Sequence, residues 1–124
     1  MRYPVRVTWK IEYTDEFGAW WDLLTLAEQR SILAAVDTLA ERGPGLGRPL
    51  VDTVRRSRHP NMKELRPRSG NLRILFAFDP RRAAILLIGG DKRHRWQQWY
   101  EEMIPVADRL YDDYLDELRR EGLL

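Results

Sequence analysis

The hydrophobic positions change their period along the chain. Val5, Val7, Trp9 and Ile11 alternate with polar residues, so Arg6–Glu12 predicts a strand with one apolar face. Over Thr14–Leu24 the spacing lengthens. Phe17, Trp20, Trp21 and Leu24 step by three or four, as on one side of a helix. Thr25 followed by Glu28 forms a capping box and predicts a second helix, with Ile32, Leu33, Val36, Leu39 and Ala40 as its apolar set. Gly43 and Pro44 end it in the order that C-terminal caps favour. Two short helices joined this closely predict a helical hairpin.

Gly43–Pro60 has no period and is rich in Gly, Pro and Arg, so it reads as a long loop. Its glycines at 43, 45 and 47 follow a helix and no Lys-Ser/Thr pair closes them, which excludes a phosphate-binding loop of the usual kind. Period 2 returns at Met62–Arg66 and Leu72–Phe78, joined by the turn Arg68-Ser69-Gly70-Asn71. A second turn, Asp79-Pro80-Arg81-Arg82, leads to Ala83–Gly89, apolar enough to be buried on both faces. From Trp96 a helical stripe runs through Trp99, Tyr100, Met103, Ala107, Leu110, Tyr111, Tyr114 and Leu118. Pro105 lacks an N–H and disfavours the helical region at Ile104, which predicts a break there. The order β-α-α-β-β-β-α predicts an α+β fold: a small, mostly antiparallel four-stranded sheet, an N-terminal helical hairpin and a C-terminal helix, in one domain spanning 1–124.

Composition narrows the chemistry. The chain has no cysteine, which removes disulfides, thiolate metal sites and a cysteine nucleophile, and two histidines do not suggest a zinc site. Its longest apolar run, Ala83–Ile88, is short of the ~20 residues that span a bilayer, and Arg2, Arg6 and Lys10 interrupt any secretory core at the N-terminus. The expectation is a soluble, cytoplasmic protein with no membrane and no metal. Charge is unevenly placed. Residues 42–73 carry nine Lys and Arg against Asp52 and Glu64, whereas residues 96–124 carry three Arg against eight acids. A basic middle suggests a polyanion, nucleic acid first; a solvated loop that keeps the chain soluble is the plainer alternative.

The residues Lys63-Glu64-Leu65-Arg66, Leu72-Arg73-Ile74-Leu75-Phe76-Ala77-Phe78-Asp79-Pro80, Gly89-Gly90-Asp91-Lys92 and Trp99-Tyr100, with Gly43–Pro49 and Ser57-Arg58-His59 upstream, resemble toxins of the RelE/ParE superfamily, in particular its HigB-like, phage Gp49-like branch. The resemblance runs from about Glu16 to Tyr114. It implies the RelE-like fold and the toxin of a type II toxin–antitoxin pair, a ribosome-dependent, metal-free mRNA endonuclease without cofactor. It also implies a helix-turn-helix antitoxin as partner, with mRNA and ribosomal RNA as targets. ParE-like relatives poison DNA gyrase without catalysis, and that reading stays open, as does a basic interaction protein without toxicity. Where RNase members carry paired lysines, this chain reads Met62-Lys63-Glu64. Their arginine on the next strand is matched by Arg73, the one after the last strand by Arg93, and their tyrosine by Tyr100 at one residue's offset.

Cleavage of RNA through its 2′-hydroxyl needs a base, an acid for the leaving 5′-oxygen and cations on the phosphorane. The candidate catalytic residues are Arg73, Arg93, Lys92, His59 and Tyr100; the candidate RNA-binding residues are Lys63, Arg66, Arg68, Arg58, Arg95 and Trp96. Each has a plainer reading. Arg73 pairs with Asp79 or Asp91, Lys92 to Arg95 form a solvated turn, His59 is a surface histidine, and Tyr100 is core. Lys63 and Arg66 fall on opposite faces of a strand, so one of them faces the site. Trp96, beside the basic turn, is the tryptophan best placed to stack on a base.

Overall fold

A computed structural model describes residues 8–68, 70–93 and 96–124. Five strands form one sheet in the order β1-β5-β4-β3-β2: β1 (Lys10–Tyr13), β2 (Val51–Thr53), β3 (Met62–Leu65), β4 (Leu72–Asp79) and β5 (Ala83–Asp91). β1 lies parallel to β5 and every other neighbouring pair is antiparallel. Helices α1 (Asp15–Trp21) and α2 (Leu26–Arg42) cover one face, where Phe17, Ile32, Ala35 and Leu39 pack on Leu65, Ile74, Phe76 and Leu86. Helix α3 (Trp96–Arg120) covers the other, setting Trp99, Ile104, Ala107, Leu110 and Tyr111 on Met62, Leu75, Ala77, Ile85 and Leu87. Central strands buried on both faces explain why Ala83–Gly89 reads as a nearly unbroken apolar run. The strand expected over Arg6–Glu12 is seen as β1; its part at 6–7 lies outside the described residues.

The capping box forms as its sequence requires. Thr25 Oγ1 accepts the Glu28 N–H at 3.1 Å, and Glu28 Oε1 accepts the Thr25 N–H at 2.9 Å. Two expectations need correction. The sheet has five strands, because β2 forms inside the segment read as loop: Val51 faces Leu65 on the hairpin side, and Val54 enters the core under α3. Three residues are too few for a period-2 pattern to register. Nor does Pro105 break the C-terminal helix, which runs unbroken through it. Pro105 and Glu101 are both exposed, so water can meet the carbonyl that loses its partner. The loss of about 3 kcal/mol is outweighed by the large buried side chains Trp99, Ile104, Leu110 and Tyr111, of which Ile104 and Leu110 alone are worth roughly 1.5–3 kcal/mol each.

A polar network ties α3 to the β1 side of the sheet. Tyr114 Oη donates to Asp79 Oδ2 at 2.7 Å and lies 2.5 Å from Glu12 Oε2. Arg81 Nη2 reaches Asp79 Oδ2 at 2.9 Å and Glu12 Oε2 at 3.0 Å. Burial alone would raise the pKa of both carboxyls; the hydrogen bonds from Tyr114 and the cationic Arg81 outweigh it and hold both below the ordinary range. A carboxyl depressed in the folded state contributes stability above its unfolded pKa and loses it as pH falls through the folded one. Acid should therefore destabilise the protein progressively below about pH 4. Tyr114→Phe removes one donor shared by the buried Asp79 and the half-buried Glu12, and should cost about 1–3 kcal/mol at neutral pH and move the acid transition upward. Urea titrations across pH 3–7 test this; coincident pH profiles for the two proteins would refute it.

Candidate nucleic-acid interface

The two glycines at the end of β5 set the geometry of the site. A Cβ on Gly89 would lie 2.2 Å from the Trp20 ring, and one on Gly90 would lie 2.1 Å from Trp99 Nε1. One tryptophan therefore approaches the backbone from each face more closely than any residue but glycine permits. The Trp99 contact seats the first turn of α3 against the sheet end. That brings Trp96 and Tyr100 beside the Asp91–Lys92 corner.

Here Glu64 is the centre. It is buried on the α3 side of β3, and one oxygen, Oε1, collects three partners. Tyr100 Oη donates to it through a short hydrogen bond. Arg73 Nε on β4 lies 2.9 Å away, and Arg66 Nε lies 3.4 Å away. Arg66 Nη2 also reaches Asp52 Oδ2 at 3.2 Å, and Arg73 Nη1 donates to the Leu72 carbonyl at 2.7 Å. The Arg73 Nε is itself buried and faces Glu64 as an ion pair, without a well-aligned hydrogen bond among the described residues. In front of Glu64 opens a cleft of about 450 Å³ lined by Arg55, Arg56, Arg66, Lys92, Trp96 and Tyr100, among others. Arg73 stands behind Glu64 and does not itself line it.

The surroundings set the protonation of the cleft. Burial, reinforced by the positive charge of Arg73, lowers the pKa of Lys92 below the ordinary lysine value. Burial and the hydrogen bond to Glu64 raise that of Tyr100, so its phenol stays protonated at neutral pH. Trp96 is 58% exposed, with Lys92 Nζ 5.7 Å from its ring centroid and Tyr100 edge-on at 6.3 Å. An exposed indole beside cations offers a face on which an unpaired base can stack.

Of the residues singled out in the sequence, the structure thus gathers Arg66, Arg73, Lys92, Trp96 and Tyr100. Arg73 pairs with Glu64, not with Asp79 or Asp91. Arg66 faces the cleft, while Lys63 turns to the opposite face, where its Nζ donates to Thr53 Oγ1 at 3.1 Å. Arg68 lies against α2 near Ser31 and Thr38. Arg93 sits at the corner and pairs with Asp91 at 3.0 Å. Arg95 and His94 are outside the described residues. His59 and Arg58 are not brought in: His59 Nε2 lies 2.7 Å from Asp112 Oδ1, and Arg58 Nη2 lies 2.5 Å from Asp112 Oδ2. Asp112 is twelve residues beyond Tyr100, about 18 Å along a helix. Sequence reasoning missed Arg55 and Arg56 as cleft residues, and treated Glu64 as a departure when it is the anchor. The available signal was a lone acid at a core-facing strand position, which is rarely buried unpaired.

The family model for the phage-derived, Gp49-like proteins (DUF891) matches residues 19–112. The chain belongs to the Gp49-like family. It is 51% identical over 104 residues to the putative toxin HigB2 of Mycobacterium tuberculosis, covering 82% of this chain and 52% of that protein. To the putative toxin HigB3 of the same organism it is 50% identical over 96 residues, covering 77% and 84% respectively. This Gp49-like chain thus spans about half the length of HigB2 and most of HigB3, and is a homologue of these putative HigB toxins. Its fold is that of RelE. The free Escherichia coli RelE arginine mutant superposes with a TM-score of 0.59 at 12% identity, covering 77% of this chain and 93% of RelE. RelE of the Pyrococcus horikoshii RelE–RelB complex gives 0.57 at 15% identity, covering 70% and 98%.

Proposed function

We propose that this Gp49-like protein is the toxin of a type II toxin–antitoxin pair and cuts mRNA bound to the ribosome. The observation that carries the reading is the cleft in front of Glu64, where Arg66 and Lys92 stand in the wall, Arg73 holds Glu64 behind them, and Trp96 presents an exposed ring. Arginine and lysine bind the scissile phosphate and stabilise the charge that grows on it as the 2′-oxygen attacks. The 2′-hydroxyl passes its proton to water, its oxygen bonds to phosphorus to give a 2′,3′-cyclic phosphate, the P–O5′ bond breaks, and the leaving 5′-oxygen takes a proton. Lys92, whose ammonium parts with its proton more readily than an ordinary lysine, supplies it. Tyr100 and Glu64 hold the arginines in register. The neutralising partner is an antitoxin, as RelB is for RelE in the solved complexes; a helix-turn-helix protein is the type proposed.

Induced expression followed by mapping of mRNA 5′ ends tests the reading. Cuts clustered within translated codons are expected. Intact mRNA with DNA-damage signalling would overturn it in favour of gyrase poisoning. Binding to ribosomes should also weaken steeply with salt, by a log–log slope of about 0.7 for each single-strand phosphate neutralised. A salt-independent affinity would contradict the electrostatic part.

A further inference from the structure

Two carboxylates of α3 hold the loop between β2 and β3. Asp108, only 4% exposed, accepts a short hydrogen bond from Ser57 Oγ and another from the Arg58 N–H at 3.1 Å. One turn further on, Asp112 takes His59 Nε2 and the Arg58 guanidinium. Ser57 Oγ accepts the His59 N–H at 2.9 Å, and the imidazole packs edge-on against Tyr111 with centroids 4.9 Å apart. At the loop's start, Val54 is buried and its N–H reaches the Met62 carbonyl at 3.0 Å. Between these two anchors lie Arg55 and Arg56, exposed and lining the cleft in front of Glu64. A buried carboxylate is costly unless its acceptors are used, and packing alone would be served by an apolar residue. Asp108 uses both oxygens on the loop.

We infer that Asp108 and Asp112 are positioning residues: they clamp Ser57–His59 so that Arg55 and Arg56 form the outer wall of the RNA cleft and take the phosphates flanking the one bound at Arg66 and Lys92. The inference rests on the reading of the cleft as an RNA site. The clamp makes an opposite prediction to plain electrostatics. Asp108→Asn and Asp112→Asn each remove a negative charge from a protein that binds a polyanion, so a general charge effect would tighten binding. Release of the loop loosens it instead.

The experiment measures binding of the full chain to mRNA-programmed bacterial ribosomes over a salt series, for the wild type, Asp108→Asn, Asp112→Asn, Ser57→Ala and Arg55→Ala/Arg56→Ala, with thermal melts to verify folding. Ser57→Ala frees the loop without touching α3 or any charge, so it stands if Asp108→Asn fails to fold. The clamp variants should weaken binding on the order of tenfold and lower the salt slope by up to about 1.4, as the double arginine variant does. Adding Ser57→Ala to the double arginine variant should then cost little more. Folded clamp variants that bind as well as, or better than, a binding wild type overturn the inference alone. A wild type that does not bind ribosomes overturns the RNA reading and the inference with it.

Discussion

Arg73→Ala should abolish growth arrest and lower mRNA cleavage by about 10²-fold, the order expected when the groups that bind the reacting phosphate are displaced by about an ångström. The side chain is 14% exposed and its Nε is 2.9 Å from Glu64 Oε1, so it fixes Glu64 and, through that carboxylate, the Arg66 and Tyr100 that share it. The alanine protein should fold, because Glu64 retains Tyr100 and Arg66 as partners. Arg73→Lys separates charge from shape. A lysine restores the charge without the planar fork, and should recover only a small part of the activity if the guanidinium geometry matters. Growth arrest on induction and 5′-end mapping measure the effect, with melting curves as the folding control. Full toxicity from a folded Arg73→Ala protein would remove this residue from the reaction.

What the sequence made legible was what local physics decides. The Thr25–Glu28 capping box, the β4–β5 hairpin around Asp79–Arg82 and the apolar run of β5 all follow from neighbours within a few residues, and all form. The errors share one cause, which is partners distant in sequence. β2 exists because Val51 meets Leu65, a contact that three residues cannot announce by period. Pro105 is tolerated because the stripe beside it is held by the sheet. Histidine as a residue type suits proton transfer, which made His59 a candidate, yet its place is decided by Asp112, 53 residues away. Within the site, alternation along β3 correctly split Lys63 from Arg66. It gave no hint that Glu64 would gather Arg66, Arg73 and Tyr100, because that convergence needs the register of β3 on β4 and the seat of Trp99 on Gly90.

Truncation after Ile104 should unfold the protein. The removed segment carries Ala107, Leu110, Tyr111 and Leu118, all buried; the first three pack on the sheet beneath α3. At roughly 1.5–3 kcal/mol for each of the three large side chains, their loss alone is about 5–9 kcal/mol, comparable with the whole stability of a domain of this size. The polar partners add to it. Without Asp108 and Asp112 the Ser57–His59 loop loses its anchor, and without Tyr114 the buried Asp79 keeps only Arg81 and backbone donors. The exposed underside of β4 and β5, with Leu75, Ala77, Ile85 and Leu87, would be a contiguous apolar surface prone to association. The acids of this helix do not change the outcome, since Asp113, Asp116 and Glu117 face solvent. Circular dichroism and size exclusion of the shortened chain should show loss of cooperative melting and aggregation. A truncated protein that stays soluble, monomeric and cooperatively folded would show that the second half of α3 is not part of the core. If it had then lost binding to the proposed antitoxin, the helix would be a partner surface instead.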